Sequence, residues 1–249
     1  MDILSRMMIG QLPLRNSLDR HKNIFIQRCK PIVEERILQR KELVYATNNS
    51  TAKLLTSVFF DYGGRPELWK ELYEEQLKIH NESNGNLSID YVNKMVKLDC
   101  YIKESFRHSI DIATMPHMLI ADSYTFNNGT TIPRGRDIYL YIKDTNFNNK
   151  FYGETSDDFQ PKRHMTSYSD GKIVHSPTTK LDDSFMVFGG GKHACPGRFY
   201  AVNAIKIFLH ESFLRYNIRT ESGKIEPPKI ISCYSTSSES GLVFENRNL

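Results

Sequence analysis

Four cysteines in 249 residues, Cys29, Cys100, Cys195 and Cys233, lie far apart and make no C-x-x-C pair. That spacing argues against a zinc ribbon and a disulfide framework and suits a reducing compartment. Long apolar runs are lacking too. Nothing reaches the roughly eighteen residues that a membrane-crossing helix needs, and Met1–Arg6 carries no signal-peptide core, so the expectation is a chain without anchor or leader. Nor is there an excess of one charge. Against 33 Lys and Arg stand 29 Asp and Glu, and the net +4 is spread along the chain, which leaves no electrostatic footprint for nucleic acid. What is present, 39% hydrophobic and 25% charged residues, is the balance of a globular protein able to bury a sizeable core as one large domain or two small ones.

The most informative stretch is Phe188-Gly189-Gly190-Gly191-Lys192-His193-Ala194-Cys195-Pro196-Gly197-Arg198. Its glycines let the backbone turn sharply and approach a flat partner closely. Pro196 suits the first turn of the breaker-free segment that follows, Phe199 to Leu209, which reads as helix. Cys195 is therefore expected at a helix N-terminus, where unpaired N–H groups and the macrodipole favour a thiolate. Such a sulfur can be a nucleophile, a redox thiol or a metal ligand, and a structural cysteine in a glycine turn is the plainer reading.

Upstream, the pattern of residues 31–41 suits an amphipathic helix, with Pro31 at its start and Ile32, Val33, Ile37 and Leu38 on one face. Val44 to Tyr62 reads as helix with Leu55, Val58, Phe59 and Tyr62 on one side. A small polar cluster, Thr47 to Thr51, interrupts it against propensity and is accounted for by a kinked helix whose hydroxyls face a buried site. Gly63-Gly64 ends that helix and Arg65-Pro66-Glu67 opens another, with Leu68, Leu72 and Leu77 as its stripe. A loop over Asn81–Asn86 follows, and Ser88 caps a stretch carrying Tyr91, Val92 and Met95. In Leu98–Arg107, Glu104 and Arg107 share a face and can pair, although such pairs are usually solvated. Short apolar runs around Met118–Ile120, Tyr124–Phe126 and Asp137–Ile142 read as strands, with Asn128-Gly129 as a hairpin turn. Arg163 to Lys180 reads as a polar meander. Ile230–Tyr234 and Gly241–Phe244 are expected to pair as a closing hairpin.

The spacing of Phe188, Gly191, Cys195 and Gly197, opening a helix, resembles the haem-binding signature of the cytochrome P-450 family, and above all its fungal members through His193-Ala194-Cys195-Pro196-Gly197-Arg198-Phe199. The resemblance implies a mainly α fold with small β-sheets (α+β), of which residues 1–249 form a single partial domain, the C-terminal half. It implies that Cys195 is the axial thiolate of haem b iron, the ligand that pushes electrons toward O–O cleavage. Phe188, Gly189, Gly191 and Gly197 then shape the cysteine loop, and His193 matches a propionate-contacting position. His117 falls on a second such position, where arginine is commoner and would hold a carboxylate more firmly. Glu104 and Arg107 resemble the family's Glu-x-x-Arg pair, which locks with an arginine in a later Phe-x-Pro-x-Arg stretch, here Phe159-Gln160-Pro161-Lys162-Arg163.

Ala46-Thr47-Asn48-Asn49-Ser50-Thr51 resembles the family's oxygen-activation turn, with Ser50 and Thr51 as its alcohol pair and Asn49 where an acid is usual. An amide cannot relay a proton as a carboxylate does. The polar stretch Asp144-Thr145-Asn146-Phe147-Asn148-Asn149 departs from the His-x-Asp pattern often seen near there. By resemblance, Asp111–Pro116 and Ser235–Gly241 touch substrate. The family inserts one oxygen atom from dioxygen into an apolar small molecule, with electrons from NADPH through a reductase, and its full-length members are associated with the endoplasmic reticulum membrane on the cytoplasmic side. By the same resemblance the anchor, the first sheet, a helix with further propionate contacts and the lid helices are expected to be missing. Two functions are therefore expected to compete: a haem-thiolate monooxygenase, and a truncated, non-catalytic remnant with weak or no haem binding. A zinc or thiol enzyme is disfavoured because no second cysteine or Cys-His pair has ligand spacing.

Overall fold

A computed structural model describes residues 41–109, 117–169, 171–231 and 234–247, without the side chains of 41–49 and 234. In chain order its elements are α1 (Lys41–Gly63), α2 (Trp69–Ser83), α3 (Ile89–Asn93), α4 (Val96–Ser109), β1 (His117–Met118), β2 (Ser123–Thr125), β3 (Thr131–Pro133), β4 (Asp137–Ile138), α5 (Ile142–Asn146) and α6 (Asn149–Tyr152). Then come β5 (Met165–Ser167), β6 (Ile173–His175), α7 (Arg198–Arg215), β7 (Tyr216–Thr220), β8 (Lys229–Ile231), β9 (Tyr234–Thr236) and β10 (Leu242–Asn246). The architecture is mainly α with small two-stranded antiparallel sheets, as the sequence implied. Of the helix expected over residues 31–41, all but Lys41, the first residue of α1, lies outside the described residues.

The described residues divide into two compact units, one within the bounds Met1–Val92, Asn203–Pro227 and Ser238–Leu249, the other within Asn93–Val202 and Pro228–Ser237. In the first, α1 turns Val58, Phe59, Tyr62 and Leu55 inward, on the expected face. Tyr62 stacks on Phe213 of α7 with ring centroids 3.9 Å apart, and Phe59 meets Phe244 edge-on at 5.5 Å. Gly63 and Gly64 do more than end the helix. A Cβ on Gly63 would lie 2.9 Å from the Thr220 nitrogen, and one on Gly64 2.7 Å from the Ile225 Cα, so their bareness lets the β7 strand and the turn after it lie against the helix end. On α2 the buried stripe is Leu72, Gln76, Ile79 and Ser83, with Leu77 turned outward. The expected apolar face was offset because one of its inward positions is polar: Gln76 is fully buried and its Oε1 meets His210 Nδ1 at 3.0 Å.

Strand pairing differs from the expectation at the C-terminus. β10 pairs with β7, Leu242 opposite Thr220 and Phe244 opposite Ile218, while β8 pairs with β9. Tyr216–Thr220 follows α7 with no breaker between them, and an apolar alternation does not say which strand is its partner.

In the second unit α4 is the axis. Every residue from Leu98 to Arg107 is buried, so its charged side chains must find partners inside. The β2–β3 hairpin turns as expected at Asn128-Gly129, where Gly129 has φ +84° and Asn128 Oδ1 accepts the Thr130 N–H at 3.0 Å. The strand expected over Asp137–Ile142 stops at Ile138, and α5 begins at Ile142, whose side chain is buried. Residues 163–180 are not wholly a meander, since β5 and β6 form a hairpin within them.

Candidate functional site: the cysteine loop and its supports

Cys195 is a free, half-buried thiol. Its N–H donates to the Phe188 carbonyl at 2.8 Å, closing the glycine loop on itself. Two glycines make that closure possible, Gly189 at φ +67° and Gly191 at φ +58°, in a region costly for any other residue. α7 opens at Arg198, so Cys195 stands just ahead of the helix, with Pro196 and Gly197 as the turn between. Phe188 is buried and packs edge-on against Phe106 of α4 and Phe185, at 6.1 and 6.5 Å between ring centroids.

Of the expected propionate contacts, His117 on β1 and His193 in the loop come together, their rings 5.8 Å apart and both exposed. At Gly191 and Gly197 an added Cβ would meet nothing within 4 Å, so the loop leaves open the space that side chains would fill. One soft sulfur donor, a glycine cradle and a pair of imidazole donors suit a flat metal-bearing group with acidic edges such as haem. Among the described residues no three of His, Cys, Asp and Glu converge as a metal site.

Glu104 and Arg107 lie fully buried. Arg107 grips Glu104 with Nε to Oε2 at 2.9 Å and Nη2 to Oε1 at 2.8 Å. Arg163 completes the trio, Nε to Oε1 at 3.0 Å. Two further partners had no signal in the sequence pattern. His164 Nε2 lies 2.8 Å from Glu104 Oε2, and the Gln160 N–H donates to Oε1 at 2.8 Å. Burial opposes charge on Glu104, but the nearby His108 imidazole, hydrogen bonds from His164 and Arg107, and the Arg107 charge outweigh it and hold the carboxyl far below the usual carboxylate range. Burial pushes the His164 imidazole below its ordinary value, with Glu104 opposing.

The arginines also staple the segment between α4 and β5. Arg107 donates to the carbonyls of Asn146, Ser156 and Asp158 at 2.8, 2.6 and 3.0 Å, and Arg163 to those of Tyr152, Thr155 and Asp158 at 3.2, 2.6 and 3.0 Å. The Arg107 guanidinium also lies over the Tyr152 ring at 4.7 Å.

Ser50 is exposed and Thr51 half-buried on α1, in the other unit, and the Asn49 side chain lies outside the described residues. Of the segments expected at substrate, Asp111–Pro116 also lies outside them, while Ser235 is buried with its hydroxyl donating to the Ser109 carbonyl at 2.6 Å. Among the described residues no helix is long and apolar enough to cross a membrane.

The model of the family described as Cytochrome P450 matches residues 35–240. The chain is 32% identical to Cytochrome P450 monooxygenase ccsG of Aspergillus clavatus over 73% of its own length and 36% of that protein's. It is 31% identical to Fumitremorgin C monooxygenase of Aspergillus fumigatus over 73% and 36%, and 27% identical to Cytochrome P450 monooxygenase cheE of Chaetomium globosum over 76% and 38%. It thus spans little more than a third of the length of these curated relatives.

Proposed function

The chain belongs to the cytochrome P450 family, and from that premise we propose that it carries the sulfur-bearing side of a haem-thiolate monooxygenase. Cys195 would supply the thiolate ligand to haem iron. His193 and His117 would hold its propionates, Phe188, Gly189, Gly191 and Gly197 shape the loop, and Glu104, Arg107 and Arg163 fix the segment that carries it. When bound, haem b supplies the activation of dioxygen by which one oxygen atom enters an apolar small molecule, with electrons from NADPH through a reductase. Ser50 Oγ and Thr51 Oγ1 pass protons with the help of water, since the Asn49 amide cannot do so.

The observation that carries this reading is the free Cys195 thiol in a loop closed by its own N–H on Phe188. A haem titration of the full 249-residue chain tests it. One equivalent is taken up by the wild-type chain and about tenfold less tightly by Cys195→Ser; equal affinity in the two would remove the ligand assignment. Weak or no uptake by the wild-type chain would favour the second reading, a non-catalytic remnant.

A further inference from the structure

A second brace reaches Cys195 without passing through Glu104. Thr178 is fully buried, its N–H donates to Asp99 Oδ2 at 2.9 Å, and its hydroxyl donates to the Asp99 carbonyl at 2.8 Å. The next residue, Thr179, offers its carbonyl to Arg198 Nε at 3.0 Å, and Arg198 Nη1 donates to the Cys195 carbonyl at 3.0 Å. The guanidinium rests 4.4 Å from the centre of the Phe199 ring. An unbroken run of bonds thus leads from α4 to the cysteine backbone.

We propose that Arg198 is a positioning residue for Cys195, anchored through Thr179 and Thr178 to Asp99, and that it fixes the backbone from which the sulfur projects. The physical reason lies in the two peptide groups that flank the cysteine. The N–H of Cys195 is held by Phe188 and its carbonyl by Arg198, so both backbone torsions are set and the Cα–Cβ vector with them. A rigid planar fork holds two carbonyls in fixed directions; the ammonium of lysine, with three rotatable donors on a flexible stem, holds them less firmly. As a role in metal ligation this rests on the haem-thiolate reading, but the brace acts on the sulfur whether or not haem is bound.

The test uses the full chain and three variants, Arg198→Gln, Arg198→Lys and Thr178→Val, the last cutting one of the two bonds to Asp99. Alkylation of Cys195 by iodoacetamide is followed by peptide mass mapping, which separates it from the other cysteines, and thermal melting checks folding. Arg198→Gln raises the Cys195 rate about fivefold or more, Arg198→Lys restores part of the difference, and Thr178→Val raises the rate less. In haem-loaded protein, Arg198→Gln also moves part of the reduced carbon monoxide spectrum away from the thiolate form. A folded Arg198→Gln with the wild-type rate overturns the proposal, as does full restoration by lysine. Where Arg198→Gln fails to fold, Thr178→Val decides by the same rate: raised, it supports the brace; unchanged, it overturns it. A wild-type chain that takes up no haem sinks the haem reading alone, and the alkylation rates still decide the brace.

Discussion

Arg107 meets Glu104 edge to edge, two parallel hydrogen bonds at 2.9 and 2.8 Å between side chains with no exposure to solvent. A pair three residues apart on a helix is ordinarily a surface ornament of a few tenths of a kcal/mol. Here the surroundings invert that. With both charges out of water, removing one leaves the other stranded.

Arg107→Ala therefore costs about 3–5 kcal/mol and loses folded protein, because the Asn146 and Ser156 carbonyls lose a donor as well, while the Asp158 carbonyl keeps Arg163. Urea unfolding measures it. A soluble, stable Arg107→Ala chain with full haem loading would contradict the structural role. Arg107→Lys recovers only a fraction, since one ammonium cannot reproduce the bidentate grip.

Acid weakens the same cluster, with a definite sign. Glu104 has a folded value depressed far below its unfolded one, so its contribution is present above the ordinary carboxylate range, near pH 4.5, and drains away as the pH falls below it. His164 is depressed as well; the unfolded chain takes up its proton first, and stability already declines as pH falls below about 6.5. Glu104→Gln flattens the lower part of this profile, at the cost of lower stability at neutral pH. A profile unchanged by Glu104→Gln between pH 5 and 3 would count against the account.

His210 adds a separate acid step in the other unit. Burial, with the charge of His80 in support, brings its imidazole down to about 4. The Gln76 amide fixes its form: Nε2 donates to Glu75 and leaves Oε1 to accept from His210 Nδ1–H. Between pH 6.5 and 4 the neutral burial of this ring loses about 3 kcal/mol relative to the unfolded state. His210→Gln keeps a hydrogen-bonding partner for Gln76 and removes that slope, readable as a smaller drop in melting temperature on acidification. An NMR titration placing His210 near 6.5 in the folded chain would sink the prediction.

Gly63→Ala tests the close approach of α1 to β7. The added methyl meets the Thr220 nitrogen at 2.9 Å, and backbone cannot step aside as a side-chain tip can, so the substitution costs about 1–3 kcal/mol although alanine favours helix more than glycine does. Chemical denaturation reads the difference; a stabilised Gly63→Ala would show that the helix end and the strand stand further apart.

What the sequence disclosed and what it hid follow one physical line. The cysteine loop and the Glu104–Arg107 pair are local, so fixed spacing was enough to find them. Arg163 was found at long range because it carries its own short signature. The donors that complete the cluster, His164 and the Gln160 N–H, and the link from Asp99 through Thr178 to Arg198, come from segments with no shared pattern, and only folding brings them together. The β7–β10 pairing and the buried Gln76 were missed for the same reason: periodicity gives a face or an alternation, while the partner that pairs with it or satisfies a polar group on it lies elsewhere in the chain.

The central claim is that Cys195 can bind iron as a thiolate. The absorption spectrum of the haem-supplemented, reduced chain under carbon monoxide tests it most directly, with Cys195→Ser alongside. The account predicts a strongly red-shifted Soret band in the wild-type chain, its loss in Cys195→Ser, and little change in Asn49→Ala. A wild-type chain without that band, or a Cys195→Ser chain that keeps it, would contradict the claim.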